Sequence, residues 1–395
     1  MKNYILTNPM ARKTTSKDSQ RQTPSAVSSI SQSGASAAKP SSKADVIYLG
    51  IDVHLQWYVV CRKVDGATPQ PAQRFKPEEF KLWAVKQKTQ AQRVVCCYEA
   101  GPFGYVLQRQ LESMGMKCLV VRPEDWDRHG SNVKTDGRDA CAMVEALARY
   151  EKGNAKALAI VRVPQVEEEQ RRALSRQRQM LVERASSLGA WGKSQALSQG
   201  ITWKARYWWK PKTWKSLSKV LPSWLSELLA GVQKVLLSLQ ESIESTTRKL
   251  EAMASPASQR PKGLGALSEQ ILHNEVLDWG RFNNRRQVSS YTGLCPSEYS
   301  SGGSRRQGSI NKHGNRRLRA ALVEATWRLM RMQPGWKRLV ALKVRLEQCQ
   351  GQRGPGKKKL VVKLARELAI DLWRWGTGRA SLSDLGWEAA GAAQS

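Results

Sequence analysis

Acidic residues are scarce in this chain: 33 Asp and Glu stand against 65 Lys and Arg among 395 residues, a formal net charge of +32. Like charges repel in a compact state, so this excess indicates a polyanionic partner, with nucleic acid the first candidate and a membrane surface the second. A transmembrane helix is not expected, because no run of about 18 uncharged apolar residues is present. The amino terminus also lacks the continuous apolar core, about 7 to 15 residues long, of a secretory signal.

The chain also lacks paired cysteine motifs: it contains no CxxC pair, and its seven cysteines are an odd number. Several lie in apolar runs such as "RVVCCYEA", where cysteine behaves as a small hydrophobic residue. We therefore expect reduced cysteines, as in a cytoplasmic protein, rather than a disulfide framework or a zinc site.

Changes in composition along the chain predict five segments. Residues 1–45 are rich in Ser, Ala, Gln and Lys without apolar periodicity, which is typical of a disordered basic tail. Strand and helix patterns alternate in residues 46–150, whereas long helical patterns dominate residues 151–258. A third ordered segment covers residues 259–335, and a basic helical extension with a tail covers residues 336–395.

Short strand and helix patterns predict an α/β domain in the first ordered segment. "VIYLGIDVHLQWYVVCRKV" contains two β-rich runs around a short polar turn, which predicts a hairpin. "RVVCCYEA" and "KCLVVRP" are typical of further buried strands. Between them, "FGYVLQRQLESMG" has apolar residues at helical spacing and ends at Gly115, a suitable residue after a helix end.

Two long amphipathic patterns follow, "VEEEQRRALSRQRQMLVERASSLGAW" and "LSELLAGVQKVLLSLQESIESTTRKLEAM", and predict a helical hairpin or coiled-coil arm. The segment between them combines tryptophans with basic residues, among them Lys204, Arg206 and Lys210. Basic residues interleaved with aromatics are suited to holding phosphates and stacking bases. The alternative is a cationic loop whose tryptophans pack on the two helices.

The last part of the chain carries most of the positive charge. Residues 281–380 contain 23 Lys and Arg and 5 Asp and Glu, a net charge of +18, which predicts the main nucleic-acid footprint. Just before this region, "GLGALSEQILHNEVLDWGRF" places a Gly-Leu-Gly turn ahead of a helix. Such a turn is similar to a helix–hairpin–helix element, whose amides meet a phosphate, but it is common and therefore a weak indication.

Four carboxylates from three elements form the candidate metal site. Asp52 and Glu99 end the strands "YLGID" and "VVCCYE", and sites in α/β sheets form at such strand ends. Asp136 and Asp139 lie three residues apart and so share one face of a predicted helix. Converging carboxylates repel one another unless divalent cations bind them, and Mg²⁺ prefers such hard oxygen ligands. Two such ions would stabilise the attacking and leaving oxygens of a phosphodiester.

Each acid taken alone has a plainer interpretation. An aspartate at a strand end is most often a turn residue, and Asp136 could cap its helix. Lys134 and Arg138 could pair with the acids or contact phosphate. His54 follows Asp52 by two residues and should point to the same side of the strand, but a half-buried strand histidine is favoured over a metal-site role.

Several of these motifs together resemble a known family. "GIDVH", "YEAGPFGY" and "KTDGRDA" resemble the three blocks of the RuvC-like DEDD domain in the IS-one-ten group of insertion-sequence transposases, relatives of the Piv DNA invertases. "GLCPSEYSSG" and "GSINKHGNRRLR" resemble that group's carboxyl-terminal transposase domain. The resemblance covers roughly residues 46–335. It implies a RuvC-like ribonuclease-H fold for the first domain, followed by a helical arm and a mainly helical carboxyl-terminal domain.

The resemblance also implies a cofactor, partners and a nucleophile. The family's serine, just before a glycine, matches Ser301 and would join DNA covalently together with the carboxylate site. The implied partners are DNA, as element ends and target, and a guide RNA encoded in the same element. A homo-oligomer, either dimer or tetramer, in the bacterial cytoplasm is expected. The acids that match the family's Mg²⁺ ligands, for two ions, are Asp52, Glu99, Asp136 and Asp139.

The residues around Ser301 suit an approach to a phosphate backbone. The adjacent glycines allow close approach of the chain, although a Ser-Gly cluster is more commonly a polar surface loop. Ser300 is the alternative nucleophile, and either hydroxyl would need a base or a metal to activate it. The predicted nucleic-acid contacts in this region are Arg305, Arg306, Lys312, Arg316, Arg317 and Arg319.

The sequence therefore predicts a Mg²⁺-dependent transposase or DNA recombinase that forms a serine–DNA link. The enzymatic alternative is a RuvC-like Holliday-junction nuclease, which uses water and would tolerate the loss of Ser301. The other alternative is a non-catalytic nucleic-acid-binding scaffold, in which the loss of the Asp139 carboxylate would leave DNA handling unchanged.

Overall fold

The computed structural model describes residues 43–124, 126, 135–301, 304–348 and 355–391. The predicted tail up to residue 42 and Lys134 lie outside these described residues, so what the sequence predicts for them stays a prediction. The chain divides into two compact units, Met1–Val161 and Arg162–Ser395. The first unit is a mixed α/β domain and the second is mainly helical.

The described residues form the following elements. The strands are β1 (Ala44–Val53), β2 (Tyr58–Val64), β3 (Gln73–Phe75), β4 (Ala91–Glu99), β5 (Lys117–Val121), β6 (Pro296–Ser301) and β7 (Ser304–Ile310). The helices of the first unit are α1 (Pro77–Gln90), α2 (Val106–Ser113) and α3 (Asp136–Glu151). Those of the second are α4 (Val166–Leu197), α5 (Pro211–Leu217), α6 (Ser223–Glu251), α7 (Ala266–Val276), α8 (Arg285–Thr292), α9 (Arg316–Met332), α10 (Lys337–Val340), α11 (Lys343–Gln348), α12 (Pro355–Gly376) and α13 (Leu382–Leu385).

A five-stranded sheet in the order β3-β2-β1-β4-β5 forms the centre of the first unit. The predicted hairpin is confirmed, because β1 pairs with β2 in antiparallel register. The two further predicted strands are also confirmed as β4 and β5, which run parallel to β1 and to each other. Neither β3 nor α1 is predicted from the sequence. Because β1, β4 and β5 are parallel, their carboxyl ends lie at the same edge of the sheet.

Helix α3 covers one face of this sheet and comes unusually close to β1. The buried residues on that face alternate along the strands, with Val46 and Tyr48 on β1 and Val95 and Cys97 on β4. At Gly50 an added Cβ would overlap the carbonyl oxygen of Ala140 and lie 2.7 Å from the amide nitrogen of Val144. Glycine therefore allows α3 to approach β1 two residues before Asp52.

The two long predicted helices of the second unit are confirmed as α4 and α6, which pack side by side. Arg178 in the first half of α4 donates a hydrogen bond to Thr247 near the end of α6, at 2.6 Å. The two helices are therefore antiparallel. Their supercoiling as a coiled coil stays a prediction.

The tryptophan-rich segment between these helices is part of their hydrophobic core. Trp208 and Trp209 are buried, and their rings lie against Gly189 and Gly192 of α4, where no side chain larger than hydrogen leaves room. The Trp208 indole donates a hydrogen bond to the Gly189 carbonyl at 3.0 Å. The structure therefore supports the alternative interpretation, in which these tryptophans pack on the helices, and the base-stacking interpretation fails for both buried rings.

A larger core forms where α7, α8, α9 and α12 meet. Helices α8 and α9 begin at asparagines, Asn284 and Asn315, whose side chains accept hydrogen bonds from the first free amides of the helix. The antiparallel pair β6–β7 precedes α9. The second unit thus holds the predicted serine on a hairpin beside a helical core.

Candidate active site

The candidate site lies at the edge of the sheet where the parallel strands end. Ile51 of β1 is paired with Tyr98 of β4, so Asp52 and Glu99 are the next residues along two adjacent strands. Every second residue of a strand points to the same face of the sheet. Asp52 follows Val46 and Tyr48 in this alternation, and Glu99 follows Val95 and Cys97, so both acids lie on the face that α3 covers. The backbone therefore places these two acids as the sequence predicts.

Helix α3 brings the second pair of acids to this edge. Asp136 is its first residue and Asp139 lies one turn further, with the Asp139 amide bonded to the Thr135 carbonyl at 3.2 Å. Thr135, not Asp136, occupies the position before the helix, so the helix-capping alternative for Asp136 is wrong. Carboxylates in a first helical turn are also stabilised by the positive end of the helix dipole.

Three side chains meet at the centre of the site. His54 Nε2 lies 3.1 Å from Asp52 Oδ2 and 3.3 Å from Asp136 Oδ2. The ligand-type atoms of these three residues all lie within 4.8 Å of one another. The favoured interpretation of His54 as a plain strand histidine therefore missed its contact with both acids. The only signal in the sequence was its spacing of two residues from Asp52.

The electrostatics of Asp52 reflect the crowding of acids. Burial raises the pKa of the Asp52 carboxyl, and the negative charges of Asp136 and Asp139 raise it further, whereas His54 acts in the opposite direction; the net pKa is raised. A carboxylate that is partly buried among other carboxylates lacks enough positive charge nearby. A bound cation would remove this imbalance.

Asp139 and Glu99 lie outside the three-residue centre. Asp139 is 9% exposed and acts on Asp52 through its charge. Glu99 Oε1 accepts hydrogen bonds from the Glu124 amide, at 3.1 Å, and from the Trp126 indole nitrogen. The structure therefore brings together two of the four predicted acids directly, with a third close by, while the carboxylate of the fourth is held by the segment after β5.

The donor set fits a divalent cation. Two carboxylate oxygens and an imidazole nitrogen are available from Asp52, Asp136 and His54 within one small region. Carboxylate oxygens are preferred by Mg²⁺, and the imidazole is also accepted by transition metals such as Mn²⁺.

A cleft of about 430 Å³ opens beside Asp136, and Arg74 of β3 lines it. The Arg74 guanidinium lies over the Trp57 ring, 4.9 Å from its centroid, and the Trp57 ring in turn lies 5.9 Å from the His54 ring. A cation held in this way suits an anionic oxygen that enters the cleft. Arg74 carries no signal in the sequence, because β3 is only three residues long.

The predicted nucleophile lies in the second unit. Ser301 is the last residue of β6 and pairs with Ser304, the first residue of β7, so it lies at the tip of the hairpin. The side chains of Ser300, Ser301 and Arg305 lie outside the described part of the structure. The role of the serine stays a prediction, and its place at the hairpin tip does not decide between a nucleophile and a polar surface loop.

Some of the predicted phosphate contacts are exposed around this hairpin. Arg306 on β7, Lys312 and Arg316 all present exposed side chains. Lys312 adopts a left-handed backbone, with φ of 59°, in the loop before α9. The following Gly314 packs so closely on the end of α8 that an added Cβ would lie 2.5 Å from the Tyr291 carbonyl oxygen. This loop is therefore held in one shape by backbone contacts.

Two other predicted contacts already have partners inside the fold. Arg317 donates to Glu275 at 3.1 Å and to the carbonyl and hydroxyl oxygens of Ser175 at 2.6 and 2.7 Å. Arg319 donates to the carbonyls of Thr292 and Gly314. Arg317 is therefore held by the fold and Arg319 braces the loop, while a contact of either residue with nucleic acid stays a prediction. Arg316 is exposed, whereas Arg317 and Arg319 are partly buried, and this difference is not visible in the sequence.

The predicted contacts on the tryptophan-rich segment keep their exposure. Lys204, Arg206 and Lys210 are exposed, although the neighbouring tryptophans are not. The charged ends of Arg206 and Lys210 lie over the ring of Tyr207, 5.4 and 5.5 Å from its centroid. This ring is 43% exposed.

Comparison with known proteins finds similarity to transposases. The model of the Transposase IS116/IS110/IS902 family matches residues 259–341. A putative transposase, y4qE of Sinorhizobium fredii, is 30% identical over 73% of this chain and 77% of its own length. The transposase for insertion sequence element IS1111A of Coxiella burnetii is 24% identical over 73% of this chain and 79% of its own length.

The chain belongs to the IS110 family of insertion-sequence transposases. A second relative, the putative transposase y4rJ of Sinorhizobium fredii, is also 30% identical, over 70% of this chain and 75% of its own length. Within the described part of the chain, none of the helices is both long enough and apolar enough to cross a membrane.

Proposed function

We propose that this transposase cleaves and rejoins DNA strands through a covalent serine–DNA link, with divalent cations at the Asp52 cluster. The observation that carries the proposal is the meeting of Asp52, His54 and Asp136 at the carboxyl edge of the sheet. The strand order β3-β2-β1-β4-β5, with antiparallel and parallel halves, supports a RuvC-like ribonuclease-H fold for the first unit.

Asp52, Asp136 and His54 would hold Mg²⁺. Asp139 and Glu99 would share in binding the two ions that the family implies. Bound there, the cations would supply positive charge to the oxygens of the scissile phosphodiester. Asp52 and Asp136 would bind the cation, and His54 contacts both of these carboxylates. Arg74 would orient a phosphate oxygen in the adjoining cleft.

Ser301 would act as the nucleophile. Its hydroxyl oxygen attacks phosphorus and loses its proton, one phosphorus–oxygen ester bond of the DNA breaks as the serine–phosphate bond forms, and the departing oxygen takes up a proton, so that no net proton is consumed. One phosphodiester bond replaces another in this step, so the free energy of the bond is conserved in the serine–DNA ester. A DNA hydroxyl can therefore later displace the serine and rejoin the strands. Ser300 remains the alternative attacking residue.

DNA is the proposed substrate, and an element-encoded guide RNA and further copies of this chain are proposed partners. The exposed cations that support contact with phosphates are Arg306, Lys312, Arg316, Lys204, Arg206 and Lys210. Such contacts position nucleic acid without reading its sequence. Salt should therefore weaken binding steeply.

Covalent trapping tests the proposal. Purified protein, Mg²⁺, labelled element-end DNA and RNA transcribed from the element's flank are combined and separated on a denaturing gel. We expect a labelled protein–DNA band with wild-type protein and with Ser300→Ala. We expect none with Ser301→Ala or with Asp136→Asn, which keeps the size of the side chain but removes its charge.

The controls separate chemistry from folding and from the rival activity. Each variant is first shown to melt at the wild-type temperature. Cleaved DNA without a covalent band, unchanged by either serine substitution, would identify a nuclease that uses water. Full activity of Asp136→Asn without added metal would contradict a catalytic carboxylate site.

A further inference from the structure

A groove of about 790 Å³ runs between the β6–β7 hairpin and helix α12, wholly within the second unit. Pro296, Gly308 and Ile310 line its hairpin side. Four basic residues, Lys358, Lys359, Lys363 and Arg366, line its helix side, and the described residues that line the groove include no acid. None of these residues belongs to the carboxylate site or to the cations already considered.

The basic residues form one surface of α12. Lys359, Lys363 and Arg366 are spaced by four and three residues, which places them on the same helix face. From Lys358 to Arg366 the helix rises about 12 Å, since each residue adds about 1.5 Å. The groove therefore presents a row of positive charge rather than a single point.

This row is poorly balanced within the protein. The first turn of α12 contains no acidic residue, although the amino-terminal end of a helix is itself partly positive and disfavours lysine. Among the described residues, no ion pair includes Lys358, Lys359 or Lys363, and these side chains are exposed. Arg366 is the exception, because it contacts Glu367 at 3.2 Å. An anion in the groove would offset both the lysine charges and the helix dipole.

The lining of the groove indicates an extended anion. Apolar residues line both sides of it, Ile310 on the hairpin and Val362 on α12 beside the basic row. A nucleic-acid strand has this character, with charged phosphates on one side and less polar sugars beside them. Successive phosphates of one strand rise about 3.4 Å along a duplex, so 12 Å of helix faces about three of them.

The hairpin links this groove to the proposed nucleophile. Pro296 lines the groove at the start of β6, and Ser301 ends the same strand five residues later. At about 3.3 Å per residue the two positions are about 17 Å apart. A strand that lies in the groove would thus run along the element that carries Ser301.

We propose that the groove between the β6–β7 hairpin and α12 binds the sugar–phosphate backbone of the DNA strand on which Ser301 acts. Lys358, Lys359 and Lys363 contact consecutive phosphates, and Arg366 closes the row. This inference rests on the proposed function, since it takes DNA as the substrate of the serine hairpin.

Binding measurements with a charge-matched control test this site. The groove variant carries Lys358→Gln, Lys359→Gln and Lys363→Gln. The control carries Lys219→Gln, Lys234→Gln and Lys249→Gln, exposed lysines elsewhere in the same unit, so both proteins lose the same net charge. Both are made in a Ser301→Ala background. Binding of labelled element-end DNA is followed by fluorescence anisotropy in EDTA at several salt concentrations, so the readout requires neither metal nor serine chemistry.

We expect the groove variant to bind DNA at least about tenfold more weakly than the control at 0.15 M salt. The slope of log Kd against log salt should fall by about 2 to 3, because each lost phosphate contact removes about 0.9. The control should change the slope by less than one. Equal weakening of the two variants would overturn the proposal, because it would reflect net charge alone.

Two further outcomes are decisive. A loss of binding confined to RNA transcribed from the element's flank, with DNA binding intact, would assign the groove to RNA and refute the DNA site. If the groove variant binds DNA with wild-type affinity, the groove does not bind DNA and the proposal is refuted as well. If the groove variant loses DNA binding while the serine fails to form a covalent link, the groove stands and only the catalytic proposal fails.

Discussion

The carboxylate of Glu275 holds three helices of the second unit together and offers a sharp test of the packing. It is fully buried on α7. Arg176 of α4 donates to both its oxygens, at 3.2 and 3.0 Å. From the start of α9, Arg317 donates at 3.1 Å and Asn315 at 2.6 Å. Removing the charge in Glu275→Gln leaves the largely buried Arg317 without its counter-ion.

The expected loss of stability follows from burial. Breaking a buried ion pair by removing one partner costs about 3–5 kcal/mol. Arg176 is 56% exposed and can return to water, so only Arg317, 14% exposed, stays uncompensated. We therefore expect a loss at the lower end, about 3 kcal/mol. For a unit of this size that corresponds to roughly 6–12 °C in Tm.

Urea unfolding followed by tryptophan fluorescence measures this loss, because 12 of the 15 tryptophans lie in the second unit. Glu241→Gln on the exposed side of α6 is the matched control and should change the free energy of unfolding by less than about 0.5 kcal/mol. A loss below about 1 kcal/mol in Glu275→Gln would refute the assignment of Glu275 as the centre of a buried ion network.

The same carboxylate predicts a pH dependence. Burial acts to raise the pKa of Glu275, but hydrogen bonds from Arg176 and Asn315 and the charges of Arg176 and Arg317 outweigh it, so the pKa is lowered. Its stabilisation is therefore complete above the usual value of about 4.3 and is lost as pH falls through the lowered pKa. The stability difference between wild type and Glu275→Gln should be flat from about pH 7 to 5 and shrink below pH 4.3. A difference that grew on acidification would contradict the sign.

Two other perturbations test the arm and the sheet. In Gly192→Ala the added methyl group would overlap the Trp208 ring, so we expect a loss of about 1–3 kcal/mol in urea unfolding, whereas Gly231→Ala, with open space around it, should be neutral or stabilising. A hydrogen bond with the neighbouring Cys61 thiol lowers the pKa of Cys141. Iodoacetamide should therefore modify Cys141 at a pH below the usual thiol value of about 8.5, and Cys61→Ala should raise that midpoint; an unchanged midpoint would disprove the coupling.

Local patterns were sufficient for most of the first unit. The β1–β2 hairpin, β4, β5 and α2 were predicted because short apolar runs and turn residues act within a few residues of one another. Helix α1 was missed for a physical reason. Its buried residues Phe80, Ala84 and Gln87 keep helical spacing, but Leu82 and Val85 face solvent and blur the pattern.

The candidate site was predictable in part. Asp52, Glu99, Asp136 and Asp139 were chosen because strand ends and one helix face bring acids together. The part played by His54 depends on the close approach of α3 to β1, which a sequence pattern does not report. Likewise, the hydrogen bonds that hold Glu99 come from residues 25 and 27 positions further along the chain.

The sequence by itself determined the family, the strands β1, β2, β4 and β5 and the long helices α4 and α6, and it predicted a polyanionic partner and the four acids of the site. These depend on composition and on neighbours in the chain. Only the tertiary structure decided which cations reach solvent: Arg317 and Arg316 are adjacent in sequence, yet one is bound to Glu275 and the other is exposed. It also decided that Trp208 packs on α4 and that α12 and the hairpin share a groove. Such pairings join residues far apart in the chain, because burial and close packing act across the whole fold.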